Sequence, residues 1–249
     1  DNSGRLVCGL LCYGGLKYDL NVGGTSALSP AVTPAQKTVY SGWGPGMYDP
    51  RYNIDGKNTP VVIPPAYGLV GTKNATYTAD GPISYWNAYV AVTQMHGHGT
   101  FVDKRIGIDI EQTPDDVVSK LPSLRAYQHS IAAPAPPAGS FVAAAAERGR
   151  KIFDSSCASC HTNGSGTDNN TDNVLHAAAE TGMNDAYAAR TATKKYRTTP
   201  LRALWQHAPY FHDGSAATLD AVVAHYDAAR KLGLTAAQKH DLVEYLKSL

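Results

Sequence analysis

The chain has 249 residues, a formal net charge of +1 and a charged fraction of 17%. That length suffices for one large or two modest domains with a proper core. The near-neutral balance supplies no basic field for nucleic acid, and the longest apolar stretches, such as TPVVIPPAYGLV, are too short to span a bilayer, so neither a nucleic-acid partner nor a membrane span is expected.

In chain order, residues 1–85 are rich in Gly, Pro, Tyr and Thr, with turn signals at WGPGMYDP, NIDGKN and IPPAYG, and read mostly as loop. A first helix is expected over ISYWNAYVAVTQM, residues 83–95, whose Trp86 reads by default as a packing aromatic. His96 and His98 flank a glycine just after it and read as loop residues rather than ligands. A second helix is expected to start at Thr113, with Thr113 as cap, Pro114 in the first turn and Asp115 and Asp116 complementing the helix dipole. IAAPAPPAGS, residues 131–140, has three prolines and cannot continue a helix, so it reads as a linker between an N-terminal domain, 1–130, and a C-terminal domain, 141–249. Beyond it a helix over Phe141–Asp154 leads into a polar loop. A helix after HDGS places Leu219, Val222, Val223 and Tyr226 on one stripe. The last helix carries a capping box, Thr235 with Gln238, and the stripe Leu242, Tyr245, Leu246 and Leu249.

The chemistry centres on CASCH, residues 157–161. Two cysteines two residues apart, followed at once by histidine, form the attachment pattern of haem c: Cys157 and Cys160 add to the vinyl groups and His161 becomes an axial iron ligand. A structural zinc site would need two further ligands, and the remaining thiols, Cys8 and Cys12, lie far upstream with no histidine after them. CGLLC has one residue too many for the usual attachment. A local disulfide is the reading, since two such positions on a helical turn lie about 6 Å apart, with two reduced cysteines or a second haem as alternatives. TDNNTDNV sets Asp168, Asn170 and Asp172 at alternating positions, as calcium loops do. It lacks the glycine at the sixth position and has Ala179 at the twelfth, which favours a solvated loop over calcium. Haem c is attached beyond a secretory membrane, so the chain, which begins at Asp1 without a signal peptide, reads as processed or incomplete and exported to the periplasm. The fold class expected is mainly α: a cytochrome c-like helical haem domain preceded by a loop-rich, partly helical N-terminal domain. In it the last helix crosses the first beside the haem, with Gly149 and Phe153 placed for close packing.

YRTTPLRALWQHAPYFHDGSAATLDAVVAHYD, residues 196–227, resembles the C-terminal signature of the dihaem cytochrome c peroxidase superfamily, which includes the methylamine-utilisation haem enzyme and, more distantly, bacterial rubber oxygenases. GPISYWNAYVAVTQMHGHGTF and YNIDGKNTPVVIPPAYGL resemble its rubber-oxygenase-like branch, so that about two thirds of the chain is covered. The resemblance implies a haem pocket drawing on Phe153, Tyr210 and His212, and an electron-conducting role for Trp86. It also implies a distal ligand fourteen residues after the histidine of His-Asp-Gly, which from His212 is Tyr226; His212, His225 and His207 are its rivals. Periodicity alone favours Tyr226 over His225, which is turned away by about 100°.

Family members carry two CxxCH motifs, and this chain has one, in the position of the haem that relays electrons. The expected cofactor is therefore one covalent haem c. The expected function is periplasmic electron transfer with a redox partner protein or another haem subunit, and the alternative is a peroxidase or oxygenase whose second haem is missing from this chain.

Overall fold

The computed structural model describes residues 33–44, 46–95, 97–162 and 166–249; the readings of Cys8, Cys12 and His96 lie outside the described residues. The chain is mainly helical, as expected. The described residues form two compact units, one from residues 33–63 with 84–124 and the other from 64–83 with 125–249. This differs from the division at a 131–140 linker, because residues 64–83 and 125–140 belong with the C-terminal unit. Long-range bonds that composition does not display hold them there: Gly68 N–H donates to the Ile131 carbonyl at 2.8 Å, and Lys73 N–H to Asn170 Oδ1 at 2.9 Å. Residues 131–137 themselves carry no helix, as their prolines dictate.

In the N-terminal unit α1, Pro34–Gly42, stands where loop was expected. Its start is a Thr33–Gln36 capping box with Pro34 in the first turn, a signal short enough to be outweighed by the surrounding turn residues. β1, Met47–Tyr48, pairs antiparallel with β2, Val61–Val62, around α2, Tyr52–Asp55. Tyr40 and Trp43 of this region are buried edge-to-face against Tyr52. α3, Ile83–Tyr89, runs on as a π turn over Val90–Gln94, filling the span expected of the first helix. Trp86 is a buried packing aromatic, edge-on to Tyr85 and Tyr89 with the Arg51 guanidinium 5.7 Å from its ring.

β3, Phe101–Asp103, pairs with β4, Ile108–Ile110. The second expected helix does not start at Thr113. The Asp115 carboxylate accepts from the N–H groups of Thr100, Val117 and Val118, tying a loop instead of opening a helix, and α4 begins only at Leu121, running to Ser130. His98 Nδ1 lies 2.6 Å from the Pro114 carbonyl, a structural role.

Asp103 gives this unit an acid sensitivity. A two-nitrogen grip by Arg105, aided by the Tyr85 hydroxyl, holds its carboxyl down at about 2. A folded value below the unfolded one contributes stability that is complete above the ordinary aspartate range and is lost as pH falls from about 4 towards 2. Asp103→Asn is therefore expected to lower the urea midpoint at pH 7, and the gap from the parent to close towards pH 2.

The C-terminal unit is built on α5, Ala143–Ser156, α8, Leu219–Arg230, and α9, Ala236–Lys247, with the short helices α6, Asn169–Asp172, and α7, Ala178–Thr181, between them. α9 opens on the expected capping box, Thr235 Oγ1 accepting from Gln238 N–H and Gln238 Oε1 from Thr235 N–H. α5 crosses α9 at Gly149, where an added Cβ would stand 2.0 Å from the Asp241 carbonyl oxygen. Arg148 grips the Asp241 carboxylate with two nitrogens at 2.6 and 2.7 Å, pinning the same crossing. Phe153, Leu219, Val223, Leu242, Val243 and Leu246 form the core between the three helices, each fully buried apolar side chain contributing on the order of 2 kcal/mol.

Candidate haem site

α5 ends at Ser156, and the chain turns immediately: the N–H groups of Cys160 and His161 both donate to the Cys157 carbonyl, at 3.2 and 3.1 Å. This tight turn swings His161 back beneath the helix, 6.0 Å from the Phe153 ring. Its Nδ1 lies 3.0 Å from the Gly166 carbonyl, and the Thr199 backbone also bonds the ring. Burial pushes the His161 imidazole below its ordinary value, favouring the neutral form that binds metal. Cys157 and Cys160 are both free thiols, and burial raises Cys157 to about 11.

α8 brings Tyr226 to the same thiols. Its phenol is raised to about 12, first by burial and then by the neighbouring Cys157 and Cys160. The other candidates for the sixth ligand are differently engaged. His225 Nε2 bonds the Thr181 carbonyl at 2.8 Å, on the side of α8 facing α7. His212 is buried with its Nε2 3.0 Å from the Tyr196 hydroxyl. That hydroxyl gives its one proton to the Asn184 carbonyl and accepts from Ala188 N–H, so His212 Nε2 carries a proton and donates. His207 ends the short turn Leu204–Gln206. Tyr210 packs on the Phe153 core and donates to the Leu204 carbonyl at 2.7 Å.

The donor set fits haem c: two free thiols at the attachment spacing, an imidazole that burial keeps neutral, and an apolar core containing Phe153 against which Cys157, Leu201 and Leu204 pack. Cys157 and Cys160 would hold the haem covalently and His161 its iron, and the haem would supply a one-electron couple.

The sequence reading missed several groups here. Asp168 N–H donates to the Cys160 carbonyl at 2.9 Å, and the Asp168 carboxylate meets His176 Nε2 at 2.9 Å. His176 Nδ1 meets Glu180 at 3.0 Å; burial lowers this imidazole, but the two carboxylates outweigh it and the net shift is upward. Asp168, His176 and Cys160 offer ligand atoms within 4.8 Å of one another, but a thioether at Cys160 would take its sulfur out of that set. Asn170, read as a candidate calcium ligand, spends its amide on the backbone of Lys73 and Gly71. Sequence spacing carries no sign of these pairings.

Residues 146–249 match the cytochrome c family. Over 66 residues the chain is 39% identical to cytochrome-c peroxidase IdrP1 of Denitromonas iodatirespirans, a stretch amounting to 22% of this chain and 18% of that protein. The structure is similar to hydrazine synthase of Kuenenia stuttgartiensis, with a TM-score of 0.55 and 20% identity over 96% of this chain and 87% of that one. It is also similar to a MauG-like protein associated with microbial copper homeostasis, with a TM-score of 0.52 and 20% identity over 78% of this chain and 74% of that one. At such identity the two structural likenesses speak for fold. The cytochrome c match implies a covalently bound c-type haem. Residues 146–249 of the chain thus carry a cytochrome c domain.

Proposed function

We propose that this chain is a periplasmic electron carrier holding one haem c, bound through Cys157 and Cys160, with His161 and Tyr226 as its axial ligands. The observation that carries the reading is that His161 follows directly on the two thiols at the end of α5 and that the Tyr226 phenol of α8 neighbours the same thiols. With both axial positions supplied by the protein, iron has no coordination site left for substrate, which suits transfer of single electrons to and from a redox partner protein or another haem subunit. No helix among the described residues is long and apolar enough to cross a membrane, and cytochrome c domains are typically extracellular or periplasmic.

The test is the spectrum of the reduced protein under carbon monoxide. A carrier closed at both axial positions leaves the spectrum unchanged, and ready gas binding moves the assignment to the second reading, a peroxidase-like enzyme. That reading draws on the similarity to IdrP1 and on the ligand chemistry of tyrosine, a hard anionic donor that favours ferric iron.

The ligand assignment has its own expected outcome. Tyr226→Phe changes the ferric spectrum and raises the reduction potential, while His212→Ala, which empties a hydrogen-bonded pocket beside Tyr196, leaves the ferric ligand bands in place. The reverse pattern in paired optical and potentiometric titrations transfers the ligand role to His212.

A further inference from the structure

Arg197 is buried, 9% exposed, in the segment that passes the haem site. Its backbone N–H donates to the Tyr77 carbonyl at 2.8 Å and its Nε to the Thr76 carbonyl. Its Nη1 is buried without a hydrogen-bond partner, and so is the Thr76 hydroxyl beside it. Among the described residues no carboxylate pairs with this guanidinium, and burial depresses it to about 10, an unusually low value for arginine. Tyr77 and Tyr196 each place a ring against His212, and Tyr196 and His212 are buried. Thr76 is held at φ 62°, a left-handed conformation costly for a β-branched residue, so the loop is strained into the shape that presents its carbonyl to Arg197.

An unpaired buried cation costs several kcal/mol, and folded proteins almost always give it an anion. The described residues supply none here. The segment points to the source: Thr198 accepts from Thr167 through its carbonyl, and the Thr199 backbone bonds the His161 ring. Arg197 is two residues from that contact, about 7 Å along an extended chain. A haem brings two carboxylates of its own on flexible arms, on a scale that matches this reach.

We propose that Arg197, with the Thr76 hydroxyl, binds a propionate of the haem attached at Cys157 and Cys160. The guanidinium neutralises the carboxylate next to iron and so sets the reduction potential, acting as a positioning and tuning residue. Losing that positive charge leaves an uncompensated carboxylate that stabilises ferric iron, so the potential must fall. The proposal rests on the haem assignment above.

The experiment compares the parent, Arg197→Gln and Arg197→Lys, each first checked for covalent haem by its pyridine haemochrome. A parent without haem refutes the assignment at CASCH, separately from the role of Arg197. In haem-loaded protein, Arg197→Gln is expected to shift the redox equilibrium about tenfold towards ferric iron, ~59 mV for one electron, and to move the propionate bending band in resonance Raman. Arg197→Lys, which keeps the charge but loses the planar fork, holds most of the potential and still moves the band. If the glutamine variant does not fold, the lysine variant decides. A parental propionate band in the haem-loaded variants overturns the proposal. So does a parental potential that responds to added phosphate in an Arg197-dependent way, which places a free anion at the guanidinium instead.

Discussion

Replacing Cys157 and Cys160 together by alanine converts a pigment that acid acetone leaves on the protein into one that the solvent removes completely, if any haem is retained at all. The two thiols stand at the end of α5, free of any disulfide, on either side of a turn that hangs both N–H groups of Cys160 and His161 on one carbonyl. With the thioethers gone, His161 and packing against Phe153 remain the only proximal attachments, and a single coordinate bond does not survive acid, which protonates the imidazole. Cys160→Ala alone keeps one thioether and is expected to weaken attachment without abolishing it. Extraction of pigment from the parent by the same solvent contradicts the covalent site. The purified variants are compared by absorbance of the acetone phase and of the pellet.

The largest expected loss of stability lies at the crossing of α5 and α9. Gly149→Ala adds one carbon at the crossing of α5 and α9, where it meets the Asp241 carbonyl oxygen at 2.0 Å, its carbon at 2.5 Å and Tyr245 Cβ at 2.9 Å. Two of these are backbone atoms, which no rotamer change moves aside, so the helices must separate. Separation also pulls Arg148 from Asp241 and opens the contact between Phe153 and Tyr245, whose rings stand 5.1 Å apart. Overpacking of this kind costs about 3 kcal/mol, a large share of the stability of a domain of this size. The control is Gly42→Ala at the end of α1, where the added methyl meets nothing within 4 Å and helix propensity favours alanine. Urea midpoints followed by circular dichroism are expected to fall sharply for Gly149→Ala and to hold for Gly42→Ala. Equal midpoints for the parent and Gly149→Ala contradict the packing described.

These two sites also mark what the amino-acid order makes legible. CASCH is a short-range chemical pattern, and the capping box at Thr235 and the stripes of α8 and α9 are local periodicities; each was readable because neighbours in sequence decide it. Gly149 could be placed at a close crossing by likeness to cytochromes c, in which the last helix crosses the first. The start of α4 was misplaced because Asp115 spends its carboxylate on Thr100, fifteen residues away, and α1 was overlooked among turn residues. The compact units escaped for the same reason on a larger scale. Residues 64–83 join the C-terminal unit through bonds such as Gly68 to Ile131 and Tyr77 to Arg197, which leave no trace in composition. Nothing in the local sequence singles out Arg197 or His176, because the fold alone buries the first and sets the second between two carboxylates.

The haem content of this chain tests the account most directly. A pyridine haemochrome titration against protein concentration, combined with the mass of the peptide that contains residues 157–161, predicts one haem per chain, carried covalently on that peptide. A ratio of two, or a CASCH peptide of unmodified mass in pigmented protein, contradicts it.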